Sequence, residues 1–152
     1  MIKVRMIGAA ILGSGLFAVG AAEAVDDKIF PGAVCQANSS AGVYQSDGSL
    51  RNSSSNLFFA TCALTRDNVS NLTGLSDLEV AVTPGSDVVG CYALSLTRFG
   101  SSVKTVYKER TGSQGLIDFG STVNAGQVYG TYVLYCGIGA SGPIHSIRTS
   151  EY

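Results

Sequence analysis

A chain of 152 residues with 14% charged side chains and a formal net charge of −1 suits one domain with a substantial buried core. Its Lys and Arg residues are nowhere concentrated, which leaves no basic surface for nucleic acid or an anionic membrane. A single histidine and the lack of any CxxC spacing argue against a zinc centre.

The chain opens with Lys3 and Arg5, followed by an uncharged run from Met6 to Ala22 and the small-x-small pattern Ala22-Glu23-Ala24. This order predicts a secretory signal peptide over residues 1–24, cut after Ala24. The alternative is an uncleaved membrane anchor. A span wants roughly 20 apolar residues, and this run is short and rich in Gly. No later segment is long or apolar enough to cross a bilayer. Losing Lys3, Arg5 and Glu23 takes the formal charge from −1 to −2. The expected mature domain is Val25 to Tyr152.

Cys35, Cys62, Cys91 and Cys136 all lie in that domain. An even count behind an export signal predicts two disulfides formed in an oxidising compartment. Three connectivities exist. The sequential one, Cys35–Cys62 and Cys91–Cys136, is favoured because it closes the shorter loops.

Helical periodicity is nearly absent and period-two stretches recur. Phe30 to Gln36 enters the fold. Asn38 to Asn56 is a Ser-, Asn- and Gly-dense excursion with room for one or two short strands. Leu57 to Leu64 is a central strand carrying Cys62. Leu78 to Thr83 alternates and ends at Pro84-Gly85, a pair that suits the centre of a type II turn. Asp87 to Arg98 is a long strand, apolar on both faces in its first half. Phe99 to Ser102 is a hairpin loop, and Val103 to Arg110 returns with Val103, Thr105 and Tyr107 on one face and Lys104 and Lys108 on the other. Leu116 to Phe119 is a short strand and Gly120 to Gln127 a loop. Tyr129 to Ile138 puts Tyr132, Leu134 and Cys136 on one side. Gly139 to Pro143 breaks the pattern before a last strand, Ile144 to Thr149. About eight short strands with turn signals between them predict an all-β, antiparallel β-sandwich, jelly-roll-like, with a closed barrel as the alternative.

Phe30-Pro31-Gly32-Ala33-Val34-Cys35, a second Cys in an apolar strand followed by Arg66-Asp67, and Tyr132-Val133-Leu134-Tyr135-Cys136 with Ile144, Ser146-Ile147-Arg148 and Glu151 form an ordered set. The set resembles small exported bacterial disulfide-bonded β-domain proteins, mostly uncharacterised. A Pro often closely follows the last Cys in that group, whereas Gly137-Ile138-Gly139 stands here. The resemblance implies export and a β fold, and it carries no assigned activity or catalytic residue.

No catalytic set emerges from the residues. His145 is expected to share a strand face with Ile147 and Thr149, and no Ser occupies a G-x-S-x-G elbow. The carboxylates are scattered and none sits in a telling motif for glycoside hydrolysis. Asp26-Asp27 and Asp67-Asn68 are candidate calcium positions, without a recognisable binding loop and with no other cofactor implied. Four N-x-[ST] sequons, at Asn38, Asn52, Asn68 and Asn71, mark expected surface loops. Exported sandwiches can use an aromatic ring to cover the apolar face of a sugar. Trp is absent and Tyr occurs seven times, so Tyr is the available platform. Tyr44 and Tyr129 are the expected exposed ligand-binding candidates, whereas Tyr92, Tyr132 and Tyr135, near cysteines in apolar strands, are expected to be buried or half-buried. The leading functional expectation is a secreted or periplasmic, non-catalytic domain that binds a glycan or envelope component or has a structural role there. The alternatives are a secreted hydrolase of an extracellular polymer that uses His145 or two carboxylates, and an inhibitor or toxin-like protein that uses the Asn38–Asn56 excursion.

Overall fold

The computed structural model describes residues 26–66, 74–124 and 129–151. The expected signal peptide, the Asp67-Asn68 pair, the sequon at Asn71 and the terminal Tyr152 lie outside the described residues. The strands are β1 (Asp26–Pro31), β2 (Cys35–Ala37), β3 (Gly42–Tyr44), β4 (Leu50–Asn52), β5 (Phe58–Leu64), β6 (Leu75–Val82), β7 (Val88–Leu96), β8 (Ser102–Thr111), β9 (Gly115–Asp118), β10 (Thr131–Ile138) and β11 (Pro143–Glu151). Two short 3-10 turns, Gly32–Val34 and Gly120–Val123, join them. No helix among the described residues is long and apolar enough to cross a membrane.

One sheet runs β3-β4-β11-β6-β9, with β1 also paired to β11; the other runs β2-β5-β10-β7-β8. Every pairing is antiparallel. Without β1, β2 and β3, the orders β4-β11-β6-β9 and β5-β10-β7-β8 are those of an eight-stranded jelly roll. Seven strands of that frame, β5 to β11, are those expected from periodicity, and β4 falls in the Asn38–Asn56 excursion that had room for one or two short strands. The three added strands come from the N-terminal part, where β2 and β3 have three residues each and are too short to display an alternation. The strand does break at Pro84-Gly85, but the turn is centred one residue later than expected, on Gly85-Ser86, with Gly85 at a left-handed φ of 65° as its first central residue.

Alternation decides which side chains fill the sandwich. β5 buries Phe58, Ala60, Cys62 and Leu64, and β10 buries Tyr132, Leu134, Cys136 and Ile138. β7 adds Val89, Cys91 and Ala93. The opposing sheet supplies Leu78, Val80, Val82, Ile117, Ile144 and Ile147 to the same core. Each fully buried aliphatic side chain of this kind stabilises by roughly 1.5–3 kcal/mol. Arg66 lies over the Tyr132 ring, 5.4 Å from its centroid.

Both disulfides follow the sequential pairing, and both lie within one sheet. Cys35 of β2 stands directly opposite Cys62 of β5, and Cys91 of β7 directly opposite Cys136 of β10. Four adjacent strands are thus stapled in two pairs, with all the sulfurs inside the core.

The Asn38–Asn56 excursion folds into the β3–β4 hairpin and the turn that carries the chain from one sheet to the other. Asn52 was expected on a surface loop, yet it is completely buried. Its amide Nδ2 donates to the carbonyls of Asn56, Ile138 and Gly139, and its Oδ1 accepts from Ser54 N and Oγ. A buried amide with its hydrogen bonds satisfied clamps the crossover to the end of β10. Asn38 remains exposed.

Replacing Cys91 and Cys136 together by Ala is expected to destabilise the fold by about 4 kcal/mol, and replacing Cys35 and Cys62 by about 3.5 kcal/mol, if restriction of the unfolded chain dominates. The order follows the sequence separations of 45 and 27 residues. Urea unfolding of the two double variants beside the oxidised parent measures both values.

Candidate functional site

The two outer faces of the sandwich differ in chemistry. On the sheet of β11 and β6, Arg148 pairs with Asp27 at 2.9 Å, Glu79 at 3.3 Å and Asp77 at 3.5 Å. The Ser150 hydroxyl and Arg148 both donate to Asp27 and hold its carboxyl below the usual carboxylate range. Oxygens of Asp77, Glu79 and Asp118 come within 4.8 Å of one another. The guanidinium already serves two of these three acids, so the group is an ion-pair network with its own cation. The side chain of Asp26 lies outside the described residues.

The outer face of the other sheet is aromatic. Tyr135 of β10 stands opposite Tyr92 of β7, which stands opposite Tyr107 of β8. This row crosses three adjacent strands, which lie roughly 4.8 Å apart in a sheet. Tyr92 and Tyr107 are 46% and 47% exposed, and their ring centroids are 4.7 Å apart. Phe59 of β5 leans onto Tyr135 in a stacked pair with centroids 5.1 Å apart and planes within 6°.

A second row explains how the rings lie down. Phe59, Gly137, Gly90 and Glu109 stand opposite one another on β5, β10, β7 and β8. A Cβ at Gly90 would come within 2.4 Å of the Tyr107 hydroxyl oxygen, and one at Gly137 within 3.1 Å of Phe59 Cε1. The absent side chains leave space into which Tyr107 and Phe59 fold flat across the sheet. The result is a shallow trough of about 220 Å³ lined by Leu57, Phe59, Val88, Tyr92, Tyr107 and the two glycines. A contiguous exposed apolar surface of this kind is a candidate interaction site.

The Tyr107 hydroxyl donates to Glu109 Oε2 at 2.6 Å. That hydrogen bond, with burial and the charge of Glu109 behind it, pushes the phenol up to about 12. The phenol is therefore tied to Glu109 and neutral at physiological pH.

His145 sits elsewhere. The register between β11 and β6 slips between Ile144 and Ser146, so His145 is the extra residue of a bulge. The bulge breaks the alternation, and His145 does not share the buried face of Ile147 and Thr149 as expected. It joins Asp47, Ser49, Thr83 and Ser141 around a polar depression of about 340 Å³. Its Nε2 bonds Thr83 Oγ1 at 2.9 Å. Asp47 instead accepts from Ser49 N and Oγ, which with the charge of His145 hold its carboxyl low. Among the described residues no hydrogen bond links His145 to a serine or a carboxylate, as a nucleophile-activating relay requires.

Tyr44 and Tyr129 are exposed as expected, but neither lines the trough. The Tyr44 hydroxyl donates to the Cys35 carbonyl at 3.1 Å and so ties β3 to β2. Tyr129 occupies a left-handed turn position just before β10. Tyr132 is buried, whereas Tyr92 and Tyr135 are exposed, against the expectation that all three are buried or half-buried. The signal was the parity of the cysteines. With Cys91 and Cys136 inside, the residues next to them point out.

No protein-family model matches the chain, and no curated protein matches it. Among solved structures, the chain is similar to a low-affinity xylan-binding module, CBM86, from Roseburia intestinalis. The identity is 12%, the TM-score is 0.52, and 84% of this chain and 96% of that one are covered. This likeness shows the sandwich fold. It also matches an isomalto-dextranase of Arthrobacter globiformis T6 complexed with panose, at 14% identity and a TM-score of 0.46, over 81% of this chain and 23% of that one. A Podospora anserina GH26-CBM35 β-(1,4)-mannanase matches at 12% identity and a TM-score of 0.40, over 83% and 28%. The chain spans about a quarter of the length of these two enzymes.

One tyrosine should ionise near pH 12, well after an ordinary phenol at 10. In Glu109→Gln the same resonance should titrate earlier, because the ionised ring would no longer face a carboxylate. NMR titration of the tyrosine Cζ carbons in both proteins tests this, and identical curves would refute the hydrogen bond.

Proposed function

We propose that this domain is a non-catalytic glycan-binding module acting outside the cytoplasm, and that its ligand lies across Tyr135, Tyr92 and Tyr107 beside the Phe59 ring. The observation that carries this reading is the exposed aromatic row across three adjacent strands of one sheet. Tyr rings offer an apolar body to the C–H face of a sugar and a polar tip to its hydroxyls. A pre-formed platform on rigid strands binds without the cost of ordering a loop. Two disulfides fit an oxidising compartment, in line with the resemblance to small exported bacterial β domains. The likeness to a xylan-binding module adds the fold only.

Tyr92→Ala and Tyr107→Ala are each expected to weaken binding to a soluble polysaccharide by about five- to thirtyfold, as truncation of a central aromatic anchor costs about 1–2 kcal/mol. Tyr44→Ala and Tyr129→Ala should leave the affinity within about twofold, since their contacts lie outside the trough. Affinity electrophoresis of the oxidised protein in a panel of polysaccharides is the measurement. Equal losses from all four variants, or no saturable binding anywhere in the panel, would overturn the reading.

A further inference from the structure

We infer that the trough selects uncharged glycan chains over those carrying carboxylate or sulfate groups; this rests on the glycan-binding reading. The selectivity comes from how β8 divides its side chains. Its odd-numbered residues Thr105, Tyr107 and Glu109 stand opposite Leu94, Tyr92 and Gly90 on the trough side. Its cations, Lys104, Lys108 and Arg110, occupy the alternate positions and point away.

Each of those cations is held at the back of the strand. Lys108 Nζ donates to the Asp118 carbonyl at 2.6 Å, and Lys104 Nζ to the Asn124 carbonyl at 3.5 Å. Arg110 donates to the carbonyls of Ser113 and Gln114 at 3.0 and 3.3 Å. These bonds lace the β8 edge to β9 and the neighbouring turns, and they remove the positive charge from the ligand face. The residues that line the trough are all uncharged. At the end of the glycine row stands Glu109, directly opposite Gly90. Its carboxylate accepts from Tyr107 and still has lone pairs for a sugar hydroxyl.

A uronate or sulfate laid along this row meets a like charge and, among the described residues of the trough and of β8, no cation on the same side. A neutral chain meets aromatic faces, phenol hydroxyls that can donate or accept, and a carboxylate acceptor. Recognition of an acidic glycan would need Arg or Lys on this side, in the bidentate or point-charge geometry that anions require.

The test compares chains matched in backbone and differing in charge: hydroxyethylcellulose against carboxymethylcellulose, and carboxyl-reduced against native polygalacturonate and glucuronoxylan. At low ionic strength the parent protein should bind the neutral member of a pair about tenfold more tightly, and high salt should shrink that gap because the repulsion is screened. Glu109→Gln keeps a hydrogen-bond acceptor for Tyr107 and removes the charge, and it should narrow the gap at low salt by about threefold or more. Equal or tighter binding of the acidic members would overturn the inference while leaving the glycan reading intact. So would a neutral preference that Glu109→Gln does not change. Failure to bind either member of every pair would overturn both.

Discussion

A cross-strand disulfide joins two residues that already face each other on the same side of a sheet, so it fixes parity as well as proximity. Cys35 opposite Cys62 and Cys91 opposite Cys136 do this for β2, β5, β7 and β10. Strand side chains alternate with a period of two, and a slip of one residue would exchange the two faces of a strand. Such a slip in β7 or β10 would turn Tyr92 or Tyr135 inward and bring polar backbone and small residues against the wrong layer. The sulfur bridges in the core therefore hold the aromatic residues on the surface. The jelly-roll order compounds the constraint. Nearly every connection crosses between sheets, so neighbouring strands are remote in sequence and depend on side-chain packing to find their register.

The two outer faces show how the same scaffold carries two kinds of surface. Around Arg148 the acids Asp27 of β1 and Asp77 and Glu79 of β6 share one local cation, and the ion pairs are exposed enough to be worth little individually. On the opposite sheet the floor is emptied of side chains by Gly90 and Gly137 so that Tyr107 and Phe59 can lie across it. Glycine within a strand ordinarily weakens it. Here the directly opposed pair of glycines is flanked by four aromatic rings, the arrangement on which the proposed platform rests. The bulge at His145 shows the same economy of position, since one extra residue re-aims a side chain and ends the alternation on β11.

Much of the architecture was legible in the residues. The alternation of Leu78, Val80 and Val82, the break that follows it, the hairpin between β7 and β8 and the strand ending at Ile138 were all readable from the pattern to within a residue or two. The sequential disulfide pairing and the sandwich class follow from the same reading. Short strands escaped it. Three residues cannot establish a period, so β3 and β4 were legible only as room for one or two short strands in Asn38–Asn56, and β2 was not separated from the segment entering the fold. Asn52 escaped for another reason: a polar residue in a Ser-rich stretch looks solvated until its three carbonyl partners, two of them far along the chain, are known.

The sequence by itself determined which residues of each strand share a face, because that depends only on the two-residue repeat of an extended chain. The parity of Tyr92 and Tyr135 relative to their cysteine neighbours was present in it. Only the tertiary structure decided that Phe59, Tyr135, Tyr92 and Tyr107 form one surface. They come from β5, β10, β7 and β8, strands that become neighbours through non-local pairing, and local periodicity carries no information about which strand lies beside which.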